Sequence, residues 1–391
     1  MNGAHPLADR PDVVHLNVLP DTEQRRPEDL LATWFTLVDV ATAVARAGAG
    51  VVVVQAAAKD DTLELDGVRY LFVRSRLPSP ARKALGLWAT PLSPSVFEAV
   101  RGLRPRVVHF HGLAFPRHVG ALVHAVPEAA VLVQDHANRV ARPGRRHLYR
   151  RGFRGVAGVV FTAAEEVEPY RAAGVIPGDV PVFAIPESSS RFTPGDQLAA
   201  RAATGLHGDP CLLWIGHLNA NKDPLTALEA VARVAGELPA VRLWCVFRDA
   251  PLLGEVEARV AGDPRLAGRV HLLGPRPREA VEGLLRAADF FVLASHSEGS
   301  SFSVMEGMAC GTPPLVTDIP SLRALTGGGA VGALFPPGDA SSLARSISQL
   351  ARGDRARLRR ETRGHFEEHL SFEVLGRKLV LAYDALAGGR G

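Results

Sequence analysis

The strongest restriction on the fold is a repeating order of short, unbroken Val/Leu runs separated by helical patterns. Apolar runs of strand length stand at residues 13–18, 51–56, 106–110, 131–134 and 156–162, with helical patterns at 29–46 and 118–126 between them. Runs without polar alternation suit strands buried on both faces, and intervening helices suit a parallel sheet. The order then begins again. Strands at 211–216, 241–247, 270–273, 290–294 and 314–316 interleave with helices at 224–235, 278–287, 304–309 and 340–352. The pattern predicts an α/β chain of two open, Rossmann-like units. Its 391 residues suffice for two domains at roughly 100–200 residues each. The Ser/Pro/Gly-rich stretch 186–196 reads as the linker. A closing helix over 372–386 carries Phe372, Leu375, Leu379, Tyr383 and Leu386 on one stripe.

Other classes are excluded or disfavoured. No internal period of roughly 20–50 residues is visible, which argues against solenoids and propellers. No apolar run reaches the roughly 20 residues that cross a bilayer, and the N-terminus has no leader pattern, so a soluble or peripheral protein is expected. The three cysteines, Cys211, Cys245 and Cys310, are too scattered for a disulfide framework or a zinc site, which fits a reducing cytoplasm. A net charge of +4 is compatible with anionic partners without demanding them.

In open α/β sheets ligands bind beyond the carboxyl ends of the strands. The most informative segment lies there, EGSSFSVMEGMACGTPPLV at 298–316. Gly299, Ser300, Ser301 and Phe302 lead into a helix, where backbone N–H groups and small residues make a ready anion site. Glu298 and Glu306 flank it. Carboxylates accept hydrogen bonds from sugar hydroxyls, so a phosphate cradle with an acid on either side suits a nucleotide sugar. Ser303 and Glu306 equally fit a capping box, S-x-x-E, in which Glu306 only caps the helix.

This segment resembles the signature of retaining GT-B glycosyltransferases of the glycosyltransferase family 4 type, which includes glycogen synthase, sucrose synthase and many mannosyltransferases. Their mark is two glutamates separated by seven residues, as in Glu298 and Glu306, followed by a turn like Gly311-Thr312-Pro313. The resemblance implies two Rossmann-like domains facing across a cleft: an acceptor-side domain over 1–190, completed by a closing helix at 371–388 that crosses back to it, and a nucleotide-sugar domain over 191–370. It implies that Glu298 contacts the transferred sugar and Glu306 the ribose.

Further stretches extend the likeness. In LLWIGHLNANKDP, Lys222 matches a lysine that neutralises the diphosphate, while His217 stands where an arginine is usual, with Asn221 as an additional donor. A neutral histidine brings less charge than a guanidinium fork. Arg248 replaces a glycine-rich turn, and it reads equally as a phosphate or base contact and as a surface residue. Gly274 to Arg276 resemble the stretch that borders the nucleobase. In VLVQDHANR, His136 matches an active-site histidine, with His111 of VVHFHG as the second candidate. The first strand-to-helix loop, LPDTEQRRPEDLLATW, lacks the glycine pair common in the family.

The resemblance implies front-face displacement by an acceptor hydroxyl on a nucleotide-sugar, with a hexosyl group as the expected cargo and no cofactor. The acceptor is expected to be a carbohydrate, lipid or small molecule. No metal is expected; Asp60-Asp61 reads as a surface loop rather than a metal-binding carboxylate pair. The basic run between Arg139 and Arg154 reads as a solvated face or as a contact for an anionic surface such as the inner membrane face, with the protein cytoplasmic or peripheral there. Interleaved aromatics are sparse in it, so nucleic acid is not expected. A sugar-nucleotide epimerase and a non-catalytic nucleotide-binding GT-B module remain the alternatives.

Overall fold

The computed structural model describes residues 10–21, 23–76 and 90–388. The first residues, on which the expectation of no leader rests, lie outside them. The chain divides into two compact units, residues 1–188 with 372–391, and residues 189–371. The chain passes from one to the other at Ser188–Ser189, inside the Ser/Pro-rich stretch, and back at Ser371–Phe372.

Among the described residues, the first unit holds eight strands: β1 (Val13–Asn17), β2 (Val51–Ala57), β3 (Asp61–Leu65), β4 (Val68–Arg74), β5 (Val107–His111), β6 (Ala130–Gln134), β7 (Gly158–Phe161) and β8 (Val182–Ala184). Their order is β3-β4-β2-β1-β5-β6-β7-β8, and every neighbouring pair is parallel except β3 with β4. The run Val51–Ala57 is buried throughout because both faces of the sheet are covered. Val14, Leu16, Val52 and Val54 pack into one layer, and Val13, Val51 and Val53 into the other. The closing helix Phe372–Gly388 supplies Leu375, Leu379 and Tyr383 to that second layer. It packs on the helix Phe35–Arg46 so closely that a Cβ on Gly376 would sit 2.3 Å from the Ala43 carbonyl oxygen.

Two local expectations change. The helix read over 29–46 is two helices, Pro27–Thr33 and Phe35–Arg46, because Trp34 leaves helical geometry at φ −108°, ψ 42°. Asp61 is not in a loop: it opens β3, an exposed edge strand paired to β4 through a two-residue turn. Asp66 and Gly67 make that turn with φ of 51° and 78°, the positive pair that tight hairpins require. Acidic Asp61 and Glu64 on this edge discourage further strand pairing.

The second unit is a six-stranded parallel sheet of β9 (Cys211–Ile215), β10 (Arg242–Val246), β11 (Val270–Gly274), β12 (Phe290–Leu293), β13 (Pro314–Thr317) and β14 (Ala333–Phe335), in the order β11-β10-β9-β12-β13-β14. The strand order reverses between β9 and β12, and the loops after those two strands border that switch point. In the first unit the reversal falls between β1 and β5.

Candidate functional site

In the second unit the switch point gathers the residues singled out by the sequence. The loop after β9 carries His217, Asn221 and Lys222, and the loop after β12 carries Glu298 to Ser301. The first loop is shaped by short-range bonds. Asn219 accepts from the Lys222 amide at 2.9 Å, and Asp223, at φ 42°, caps the helix Pro224–Val234 by accepting from the Thr226 amide. The two loops are stitched together. The His296 amide donates to the Asn221 carbonyl at 2.8 Å, and the Asn221 side-chain amide donates to the Ser297 carbonyl at 2.9 Å. His296 Nε2 also lies 3.1 Å from Asp223 Oδ2.

This stitching sets Lys222 Nζ 2.5 Å from Glu298 Oε1, with the two side chains only 18% and 9% exposed. A charge pair so far removed from water depends on its partner. Asn221 thus acts on the loop backbone. His217 Nδ1 is 3.2 Å from Asp249 Oδ2, near enough for an ion pair but out of hydrogen-bond alignment. Arg248 stands exposed after β10, and Arg276 is exposed beyond Gly274, whose φ is 68° and whose carbonyl accepts from the Phe247 amide at 3.1 Å.

The helix that follows β12 is Phe302–Ala309, with Ser301 at its N-cap position and no side-chain cap bond. Ser303 therefore lies inside the helix, and the capping box with Glu306 does not form. Glu306 turns instead to Arg278, whose Nη2 is 3.2 Å from its Oε1. Burial raises the Glu306 pKa, and the nearby guanidinium opposes this only in part. Buried Ser300 and Ser301 line the turn before the helix, whose leading N–H groups have no partner within it. The helix ends in a Schellman turn. The Gly311 amide bonds the Met308 carbonyl and the Thr312 amide bonds the Gly307 carbonyl, with Gly311 at φ 75°. Thr312 Oγ1 donates to the Leu285 carbonyl at 2.6 Å, which fixes the turn to the neighbouring helix.

The first unit brings together His111 and His136 and adds partners that sequence reasoning missed. His15 (β1) and His109 (β5) lie in register, both fully buried, with His111 two residues on. His111 Nδ1 is 3.2 Å from His136 Nε2, and His136 Nδ1 is 2.7 Å from Glu187 Oε2. Tyr383 of the closing helix reaches His109 at 2.7 Å. Burial holds His15 down to about 3, and His109 and His111 well below the usual histidine range. His111, His136 and Glu187 border a cavity of about 350 Å³ whose walls are otherwise mostly apolar, among them Leu19, Trp34, Leu37 and Phe115. The glycine-free loop thus supplies the cavity wall at Leu19, and the helix break after it places Trp34 there. His15, His109 and His111 also place metal-capable nitrogens within 4.8 Å of one another.

Residues 209–352 match the family described as glycosyl transferases group 1. A D-inositol 3-phosphate glycosyltransferase of Nocardia farcinica is 30% identical over 250 residues, 62% of this chain and 54% of the relative. One from Geodermatophilus obscurus is 32% identical over 284 residues, 69% of this chain and 61% of the relative. The chain thus spans little more than half the length of these relatives. Among solved structures, sucrose-phosphate synthase of Thermosynechococcus elongatus superposes with a TM-score of 0.69 at 20% identity, over 96% of this chain and 99% of that one. Anabaena HepE in complex with UDP and glucose gives 0.66 at 15%, over 96% and 100%. No helix among the described residues is long and apolar enough to cross a membrane. Residues 209–352 thus resemble the group 1 glycosyl transferases, and the chain as a whole has the GT-B fold.

Proposed function

We propose that this protein is a retaining glycosyltransferase that moves a sugar from a nucleoside-diphosphate donor to an acceptor hydroxyl by front-face displacement. The observation that carries the reading is the pairing at the second unit's switch point: Lys222 with Glu298, and Arg278 with Glu306, on either side of the Gly299–Ser301 turn. Two cations beside two sugar-hydroxyl acceptors, around a helix N-terminus, match a diphosphate flanked by two sugars. Glu298 would hold the transferred sugar, Glu306 the ribose, and Lys222 with the backbone of Ser300 and Ser301 the diphosphate. His217, Arg248, Gly274 and Arg276 would form the surrounding donor shell, with Asn221 holding the two loops together.

In the step, the acceptor oxygen bonds the anomeric carbon as its bond to the phosphate oxygen breaks. The electron pair leaves with the nucleoside diphosphate, which takes the acceptor's proton. The chain's part is positioning and charge stabilisation. The reading gives metal no part in the step, and transfer that stops with chelator and returns with Mg²⁺ would remove that element. The apolar cavity beside His136 is the acceptor's place. Uracil is the first donor base to test, since Anabaena HepE forms a complex with UDP. Exposed arginines from Arg139 to Arg154 would rest on an anionic membrane face, and the three free cysteines suit a cytoplasmic enzyme.

The test is calorimetric titration of nucleoside diphosphates and their sugars into wild type and Glu306→Ala. One nucleotide should bind selectively, and Glu306→Ala should weaken it about 10-fold or more, the size of a lost hydrogen bond to a charged group. A folded protein that binds none of the panel would overturn the donor reading, and one that binds a nucleotide sugar without turning it over would be a non-catalytic nucleotide-binding module. Turnover of the donor without acceptor, to an isomeric nucleotide sugar, would indicate an epimerase.

A further inference from the structure

The histidine cluster of the first unit is a continuous line of contacts. Tyr383 Oη lies 3.2 Å from His15 Nε2, His15 Nδ1 lies 3.0 Å from His111 Nε2, His111 Nδ1 lies 3.2 Å from His136 Nε2, and His136 Nδ1 lies 2.7 Å from Glu187 Oε2. A side branch runs from His109 Nδ1 to Tyr383 Oη at 2.7 Å. A neutral imidazole has one donor and one acceptor nitrogen, and a carboxylate only accepts. With His136 neutral like the other three rings, these rules leave one assignment. Glu187 must receive the Nδ1 proton of His136, so His136 Nε2 must accept. His111 then donates from Nδ1 and accepts at Nε2, His15 does the same, and Tyr383 donates its hydroxyl proton to His15. Tyr383, having given its proton, accepts from His109 Nδ1. His109 Nε2 is then a lone pair beside the buried Gln134 side-chain amide, which can donate to it, and not a stranded N–H. Desolvation of His15, His109 and His111 keeps those rings neutral, as the assignment needs.

We propose that Tyr383, His15, His111 and His136 form a one-way chain of hydrogen bonds that ends on Glu187 and presents this carboxylate as the group that receives the acceptor's hydroxyl in the cavity. Both ring nitrogens of His136 are engaged, so His136 is a positioning residue that acts through Glu187. A carboxylate offers about four lone-pair sites, so the bond from His136 leaves capacity for a hydroxyl. The same nitrogens do not suit a metal. Zinc needs imidazole nitrogens converging at about 2.0–2.1 Å. Here the His109 and His111 rings stack at 4.6 Å and 19°, and His15 and His111 at 5.3 Å and 25°, with His15 and His111 nitrogens aimed at each other. The chain itself is independent of what the enzyme transfers; only the role of Glu187 rests on the glycosyl-transfer reading.

The test is the side-chain ¹⁵N spectrum of the full chain labelled at histidine, with rings assigned by single His→Asn replacements. At neutral pH, His15, His109, His111 and His136 should all carry the proton on Nδ1, although independent rings need not share one tautomer. In Glu187→Met, His136 and His111 should lose the exclusive Nδ1–H form. In Tyr383→Phe, only the His15 and His109 signals should move. Any of the four rings protonated on Nε2 in the wild type overturns the chain, and so does a shift of all three cluster rings on adding one equivalent of Zn²⁺. In turnover assays, Glu187→Gln should raise the acceptor's KM about 10-fold or more and leave the donor's KM in place. An unchanged acceptor KM removes Glu187 from acceptor contact while the spectrum still decides the chain. Failure of nucleotide binding, by contrast, would strike the transfer reading alone.

Discussion

Lys222 and Glu298 provide the sharpest separation of stability from catalysis. Their 2.5 Å contact lies in a loop pair where the side chains are 18% and 9% exposed. Removing one partner of a fully buried pair costs about 3–5 kcal/mol, chiefly because the other charge is stranded. Water still reaches Lys222, so a smaller figure applies, about 1–3 kcal/mol for Lys222→Met. Glu298→Met should be milder, since a lone lysine can swing its ammonium to solvent. The double variant leaves no stranded charge and should regain most of the lost stability. Catalysis should behave otherwise. If Lys222 stabilises the departing diphosphate, Lys222→Met and the double variant both lose about 10²–10³-fold in kcat, the size of one missing charge-stabilising group. Urea unfolding followed by tryptophan fluorescence reads the first quantity, with Trp214 and Trp244 reporting on the second unit. At an m-value of about 1–3 kcal/mol/M, the single variant's midpoint should fall by roughly 1 M and the double variant's should return. A double variant as unstable as Lys222→Met would refute the stranded-charge argument. A Lys222→Met enzyme with wild-type kcat would refute the catalytic one.

Gly376→Ala should destabilise the first unit by about 1–3 kcal/mol, since the added methyl would lie 2.3 Å from the Ala43 carbonyl oxygen and the closing helix must shift; a thermal midpoint within a degree of wild type would contradict this packing. Thr312→Val removes a 2.6 Å bond to the Leu285 carbonyl in a fully buried turn, and about 1–3 kcal/mol should be lost in urea titrations, with no loss meaning that the bond contributes nothing. Burial raises Glu166 to about 7 and Asp135 to about 6. Both values are raised on folding, so the native state binds more protons than the unfolded chain above the ordinary carboxyl range, and this part of the stability is lost as pH rises through about 6–7. Glu166→Gln should therefore gain on wild type between about pH 5 and about pH 8, whereas a pH-independent difference in urea midpoint would rule the buried carboxyl out.

The two α/β units were legible because their information is local. Runs such as that at 51–57 have no polar alternation, and only a sheet covered on both faces accommodates them. The break at Trp34 was not legible, because the weak helix formers Thr33–Thr36 are too short a run to set a boundary inside an otherwise helical pattern. The β3–β4 hairpin carries a local signal of its own. Asp66-Gly67 is a strong two-residue turn pair, but the acidic residues Asp60, Asp61 and Glu64 before it are as common in loops as in edge strands.

The candidate site divides along the same line. Glu298, the small-residue turn and Glu306 lie within nine residues of one another, so a motif can hold them. Their partners cannot be found that way: Arg278 precedes Glu306 by a whole helix and strand, and only the packed sheet sets the two 3.2 Å apart. Glu187 is harder still, since its surroundings converge from β1, β5, the loop after β6 and the last helix. One inference was nevertheless open to the sequence. In VVHFHG, His109 and His111 are two residues apart, so they share one face of a strand. That strand is apolar enough to lie in the centre of a parallel sheet, where an unpaired imidazole N–H is costly. Two histidines on a buried face therefore require polar partners from neighbouring elements. The candidates were already visible: His15 in the equivalent place of the first strand, and Tyr383 as the hydroxyl-bearing member of the closing helix's buried stripe. Buried polar residues at strand ends thus call for their partners as strongly as a motif does, and here the partners lead to the carboxylate that the motif leaves out.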